Sequence, residues 1–308
     1  MPTPLQSLRE RSQSARRAVF VSIAANAVFA GVKIVAAILG RSHALLADGI
    51  ESLLDILSSG LVWGALKYGA KPPDELHPYG HGKIEPLAGI AASLLFLFAG
   101  LSLGYHSFLS ILFARTEGMV LAPPSPLTLL VLVVVIAGKE TLFRFILHHG
   151  RKSGSTAMQA DAWHHRSDAL TSLAALIGIG ITLFGGPRFS TADSWAALFS
   201  CVIILFNGVL MLRKSIGETM DERVSEQVVN EVYRISRSVP GVLDAEKCRV
   251  RKSGLSLIAD LHIKVNGEKT VSEGHEISHK VKDRLLECDL AFTDITVHIE
   301  PAKPELQS

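Results

Sequence analysis

The sequence predicts a bundle of six membrane-spanning helices followed by a small cytoplasmic α+β domain. Three observations carry that prediction. Apolar runs of twenty or more residues are confined to the region before position 216, formal charge is concentrated after it, and period-2 alternation is found only near the C-terminus. Residues 1–216 carry 18 Lys and Arg with 12 Asp and Glu, while the last 92 residues carry 13 and 17. Two domains are therefore expected, 1–216 in lipid and 217–308 in water.

The predicted spans lie at about 18–40, 44–68, 85–113, 125–147, 156–185 and 192–214. A helix rises about 1.5 Å per residue, so about 20 residues cover a hydrocarbon core of about 30 Å. The first span follows Arg16 and Arg17 as a secretion signal would, but it lacks a clear small-residue cleavage site and reads as a retained helix. Basic residues favour the N-terminal arm (Arg9, Arg11, Arg16, Arg17), the second loop (Lys71, Lys83), the fourth (Arg151, Lys152) and the exit of the sixth span (Arg213, Lys214). The alternate loops hold Arg41, Arg115 and Arg188. An excess of Lys and Arg marks the cytoplasmic side, so both termini are expected there.

In the tail, helical periodicity over 224–238 stops at Pro240-Gly241, and strands are expected at 242–251 and 255–265 around a turn at Ser253-Gly254. A helix at about 271–286 and a strand at 292–299 complete an αββαβ order, with helices layered on a three-stranded sheet. Several function classes are excluded. A net charge of +2 without a basic run leaves nucleic acid no footprint. No G-x-x-x-x-G-K-[ST] loop is present for a nucleotide, and no H-E-x-x-H for an intramembrane protease, so no enzyme is expected. Cys201, Cys248 and Cys288 have neither disulfide nor thiolate-zinc spacing.

The most informative feature is an internal repeat. The second span reads Ala47-Asp48-x-x-Glu51-x-x-x-Asp55-x-Leu57-Ser58-Ser59, and the fifth Ala160-Asp161-x-x-His164-x-x-x-Asp168-x-Leu170-Thr171-Ser172. Spacings of i, i+3 and i+7 place each polar trio on one helix face, so two such faces turned together would form one pocket of four ligands: Glu51, Asp55, His164 and Asp168. An Asp at mid-bilayer costs roughly 2.5 to 3.5 kcal/mol, so these carboxylates need compensation. Carboxylate oxygen and neutral imidazole suit a divalent cation such as Zn2+, Fe2+, Mn2+ or Co2+. The competing expectation is buried pairing with Lys33, Lys139 or Arg166, which would only orient helices. Asp48 and Asp161, one turn away, suit capping or support of the ligands at least as well as ligation.

These motifs, with Asp74-x-x-His77-Pro-Tyr-Gly-His81-Gly-Lys83 in the second loop and the cytoplasmic αββαβ order, make the chain resemble the cation diffusion facilitator family of divalent-metal/proton antiporters over nearly its whole length. The resemblance implies a homodimer in the lipid bilayer, here of a bacterial inner membrane, that exports metal in exchange for protons. It also implies a tetrahedral transport site on Glu51, Asp55, His164 and Asp168. Zn2+ is the foremost expected substrate and possible regulatory ligand, with Fe2+, Mn2+, Co2+ and Cd2+ in range. Glu51 is the departure, since the family more often has Asp, His or Asn there. A receptor or scaffold that binds the ion without moving it is the alternative function.

Two further metal sites are implied by the resemblance. Asp74, His77 and His81 match a loop that binds metal at the membrane surface, although two histidines in a cytoplasmic loop are also often merely solvated. In the tail, His262, His275, His298 and Glu300 match metal positions near the dimer interface, and Glu246 stands where the family usually has His; surface histidines at a sheet edge are the plainer reading. Lys83 matches a basic residue that pairs with an acid beyond the sixth span, here Asp221. Of Lys139, Glu140 and Arg144, near the cytoplasmic end of the fourth span, the basic groups are expected to snorkel toward the interface. His165 is expected to face away from the pocket, about 100° round the helix from His164.

Overall fold

The computed structural model describes residues 23–117, 120–153, 156–254, 256–288 and 290–302. The basic N-terminal arm and the start of the first span lie outside the described residues. Six long helices occupy the apolar region: α1 (Ile23–Gly40), α2 (His43–Gly69), α3 (Ile84–Thr116), α4 (Leu127–Ser153), α5 (Thr156–Phe184) and α6 (Ala192–Thr219). By length and composition four segments suffice to cross a membrane: Ile23–Gly40, Ile84–Thr116, His165–Phe184 and Pro187–Thr219. Helices α2 and α4 are as long, at 27 residues each, but α2 carries Asp48, Glu51 and Asp55, and α4 carries Lys139, Glu140 and Arg144. Large apolar side chains such as Phe98, Leu101, Phe206 and Val209 lie exposed on these helices, as a lipid solvent requires.

The chain divides into two compact units, Met1–Gly60 with Ala92–Leu210 and Leu61–Ala91 with Met211–Ser308. Small residues dominate the interior of the first, where Ala37, Ala44, Ala47, Ala175 and Ala197 surround Leu132 and Ile179. Without a hydrophobic drive between helices in lipid, such close backbone approach supplies the packing. Gly178 of α5 illustrates the tolerance, because a Cβ there would come within 2.3 Å of the Ala196 methyl. At the start of α2, the amides of His43 and Ala44 and the hydroxyl of Ser42 donate to the Asp193 carboxylate of α6 at 2.7, 3.3 and 2.6 Å. Asp193 in turn donates its own N–H to Thr182 Oγ1 of α5 at 2.8 Å. One aspartate thus satisfies amides that a helix start leaves without partners and fastens α2, α5 and α6 at one end.

The tail has the expected αββαβ order: α7 (Glu226–Arg237), β1 (Asp244–Ser253), β2 (Ser256–Val265), α8 (Val271–Leu286) and β3 (Phe292–Pro301). The sheet order is β1-β2-β3, with β1 antiparallel and β3 parallel to β2. Ala259, Leu261, Ile263 and Val265 pack with Val229, Val232, Val281 and Leu285 of the two helices, leaving Asp260, His262 and Lys264 on the other face. Strand β3 runs two residues beyond its predicted end, and pairing continues as Ala302 N donates to Val265 O at 2.8 Å. Gly241, after Pro240, takes φ 96°, a conformation that side-chain-bearing residues rarely adopt.

Candidate functional site

In the first unit, Glu51 is buried on α2 and its Oε2 has no hydrogen-bond partner among the described residues. Asp55 and Asp48 of the same helix and Asp168 of α5 lie close enough for their charges to act on it. Asp168 of α5 is thus within electrostatic range of Glu51. His164 lies on α5, and its side chain, like that of Asp161, falls outside the described residues. The level of the contacts fixes the helix directions. Asp48, early in the α2 motif, accepts from the hydroxyl of Ser172, late in the α5 motif, at 2.9 and 3.0 Å, so the two repeats run antiparallel.

Two lysines complete this region. Lys33 of α1 is fully buried, forms an ion pair with Asp48 at 2.8 Å, and donates to Ser52 at 3.2 Å and Ser172 at 3.0 Å. Lys139 of α4 is equally buried and pairs with Asp168 at 2.7 Å. The competing expectation of buried pairing is met by Lys33 and Lys139, and the expected snorkelling of Lys139 is overturned. Its neighbours Glu140 and Arg144 pair with each other at 2.9 Å on a more exposed face, while Lys139, a helical step round, turns toward α5. Arg166 instead lies over the rings of Phe143 and Trp163, at 4.9 and 5.5 Å from their centres. His165 is buried, with Nδ1 3.5 Å from the Asn26 side chain of α1.

A second cluster lies in the loop between α2 and α3, within the second unit. Asp74 Oδ1 accepts from the amides of Leu76 and His77 at 3.0 and 2.6 Å and sits 3.0 Å from His77 Nδ1. Asp74 Oδ2 is 3.3 Å from His81 Nε2. The stretch is a turn rather than a helix, with Gly80 at φ 80°, and one ligand atom from each of Asp74, His77 and His81 lies within 4.8 Å of the others. The His77 amide, followed by its imidazole, holds the Asp74 carboxyl below the usual carboxylate range.

The cytoplasmic sheet assembles a third cluster on its open face. Pairing aligns Glu246, His262 and His298 in one row across the three strands, and Asp244, Lys264 and Glu300 in the next. His262 Nδ1 lies 2.6 Å from Glu300 Oε1, and ligand atoms of His262, His298 and Glu300 fall within 4.8 Å of one another. The hydrogen bond from His262, then that from Lys247, pulls the Glu300 carboxyl down to about 2. His275 is not brought to this cluster; it lies on α8 beside His279, with ring centres 4.4 Å apart. Glu246 pairs with Lys264 and with Lys247.

The second unit also holds a polar interlock. Lys83 pairs with Asp221, which also accepts from Arg251 at 3.1 Å, and Lys252 reaches Glu218 at 3.2 Å. The turn after β1 presses on the start of α3, where a Cβ on Gly82 would lie 2.4 to 2.6 Å from Ser253. The residues that sequence reasoning did not single out are Asp193, Arg251 and Lys252. None belongs to a repeated motif, and their partners lie far away in sequence.

Residues 19–218 match the family model described as the cation efflux transmembrane domain, and residues 224–302 that of the cation efflux protein cytoplasmic domain. The chain is 32% identical over 272 residues to metal tolerance protein C1 of Arabidopsis thaliana, covering 85% of this chain and 57% of that protein, so it spans little more than half the length of that relative. It is 31% identical over 318 residues to metal tolerance protein 2 of Oryza sativa subsp. japonica, covering 95% of this chain and 80% of that protein. It is also 25% identical over 296 residues to the manganese efflux system protein MneP of Bacillus subtilis (strain 168), covering 95% and 98%.

Proposed function

Because this chain belongs to the cation diffusion facilitator family, we propose that it exports a divalent transition-metal cation from the cytoplasm in exchange for protons. It is an integral membrane protein, and the proposal places it in a bacterial inner membrane with both termini in the cytoplasm. Residues 1–216 carry the transport pathway, and residues 217–308 form a regulatory dimerisation domain. The observation that supports this reading most directly is Glu51: a buried carboxylate without a hydrogen-bond partner among the described residues, set in the field of Asp55 and Asp168. A cation bound by Glu51, Asp55, His164 and Asp168 would relieve that clustering.

Metal ligands must be deprotonated to bind, so an arriving ion expels protons and a departing ion readmits them. His164, of a residue type with an unperturbed pKa near 6.5, suits that exchange at cellular pH. Antiparallel repeats sharing one mid-membrane site are a recurrent basis for alternating access. Zn2+ is the foremost substrate of this reading. Three carboxylates and one imidazole also favour Mn2+ and Fe2+ more than a site with two imidazoles would. The MneP relative carries manganese efflux in its name. In the cytoplasm, metal at His262, His298 and Glu300, with His275 supplied across a dimer, would draw two domains together. At about 100-fold above the dissociation constant that linkage is worth about 2.7 kcal/mol.

The test is uptake of Zn2+, Fe2+ and Mn2+ into proteoliposomes containing a pH probe. Metal flux with opposite proton movement is expected. Binding without flux would identify a receptor or scaffold instead, and flux indifferent to an imposed pH gradient would remove the antiport.

A further inference from the structure

The two buried lysines of the bundle are bonded differently. The Lys33 ammonium has three donors and three acceptors: Asp48, Ser52 and Ser172 at 2.8, 3.2 and 3.0 Å. The Lys139 ammonium is as deeply buried, yet among the described residues it donates to Asp168 alone, at 2.7 Å. Their carboxylate partners differ as well. The Asp48 side chain is 2% exposed, and that of Asp168 is 12% exposed. Lys33 is thus fully satisfied around an inaccessible carboxylate, whereas Lys139 holds by a single bond a carboxylate that solvent still reaches.

We infer that Lys139 is a tethered counter-ion: it occupies Asp168 when no metal is bound and opposes the metal that comes to the same carboxylate. The inference rests on the reading of Asp168 as a transport ligand. A carboxylate has lone pairs enough for two partners, so Lys139 need not leave. An ammonium and a divalent cation on one carboxylate nevertheless repel each other strongly in a site of low dielectric. Either way the lysine lowers the gain from metal binding. It does so by stabilising the ion-free carboxylate through a charge-assisted hydrogen bond and by repelling the ion that arrives. A carrier benefits from such an opponent, because an ion held too tightly does not leave. The lysine carries part of the charge balance in the ion-free state, and the metal takes over when it binds.

The experiment measures Zn2+ and Mn2+ binding to the full-length protein in lipid nanodiscs by titration calorimetry, and metal flux in proteoliposomes. Lys139→Met keeps length and removes charge. It should tighten binding by at least about tenfold, since the repulsion between the ammonium and a divalent cation on one carboxylate is removed. KM should fall, and kcat should fall with it as release slows. Lys139→Arg, which restores a cation, should return affinity toward wild type. Lys139→Gln, which keeps a hydrogen bond without the charge, serves where the Met variant does not fold and should also bind more tightly. A purely structural ion pair predicts otherwise: Lys139→Met and Lys139→Gln would lower stability and leave metal affinity unchanged, and that result would overturn the inference. Asp168→Asn separates it from the reading beneath. If that variant binds metal like wild type, Asp168 is no ligand and both fall; if it loses binding while the charge-removing variants of Lys139 bind like wild type, only the counter-ion falls.

Discussion

The membrane helices and the cytoplasmic sheet draw on the same side chains, Asp, Glu, His and Lys, under opposite constraints. In the bundle each buried lysine has its own aspartate, Lys33 with Asp48 and Lys139 with Asp168. On the sheet the partners are shared: Lys247 reaches both Glu246 and Glu300, and Lys264 reaches both Glu246 and Asp244. The difference follows from the surroundings. A buried charge left alone costs several kcal/mol, so each of these buried lysines is set directly against an aspartate. At a wet surface an ion pair is worth about 0 to 1 kcal/mol, so partners exchange at little cost. In the proposed reading a cation would enter the sheet cluster by displacing a lysine, Lys247, that has an alternative partner in Glu246. In the bundle the buried carboxylate oxygen without a hydrogen-bond partner among the described residues is Oε2 of Glu51, which the proposed reading assigns to the cation.

The largest expected effect lies in the bundle. Asp55→Ala and Asp168→Ala should each reduce metal flux in proteoliposomes to background while the protein still inserts and folds. Near-wild-type flux in either would remove that residue from the transport site. Next in size is the Lys33 pair, which tests stability rather than transport. Asp48→Ala strands a buried ammonium and should cost about 3 to 5 kcal/mol in thermal or denaturant unfolding. The double change Lys33→Met with Asp48→Leu should recover most of it; no recovery would mean that Asp48 does more than balance Lys33. A moderate effect is expected at Glu51. Glu51→His should shift competition toward Zn2+ over Mn2+ in flux assays, and an unchanged rank order would show that geometry outweighs ligand type.

Surface positions should give the smallest effects. Asp221→Ala, at the partly exposed junction of Lys83 and Arg251, should cost only about 0 to 1 kcal/mol in stability. Glu300 sharpens the contrast through pH. Its carboxyl is held at about 2 in the folded protein against an ordinary 4.5, so between those values the unfolded chain binds the extra proton. The contribution of its bonds to His262 and Lys247 is complete above about pH 4.5 and is lost as pH falls toward 2. A carboxyl-carbon titration by NMR with a midpoint near 4.5 would show that those bonds do not form in solution.

The sequence made much of this arrangement legible. The six helices, the αββαβ tail and the face shared by Glu51 and Asp55 follow from spacing alone, because period and length are local properties. The direction of Lys139 was not legible. Helix α4 is apolar on all sides before that residue, so no periodicity distinguishes the face toward α5 from the face toward lipid. The neighbours of His275 were not legible for a related reason: helix periodicity places it on α8, where it meets His279, but only sheet register decides which side chains of the same chain meet His262. Asp193 reads from sequence as an acid in the first turn of α6, a favourable place near any helix start. Its actual partners, at the start of α2, belong to a contact that only the folded bundle creates.

That contact sets the leverage of the molecule. With Asp193 as a fixed point at the start of α2, any swing of that helix is largest farthest from it. Glu51 and Asp55 lie 8 and 12 residues beyond His43, or about 12 and 18 Å along the axis. A tilt of about 5° about the fixed point would then carry the two carboxylates sideways by about 1.0 and 1.6 Å. Metal–ligand distances tolerate only about 0.2 Å, so for the proposed ligands Glu51 and Asp55 a rotation smaller than ordinary helix-packing scatter would be enough to make or dissolve a coordination shell.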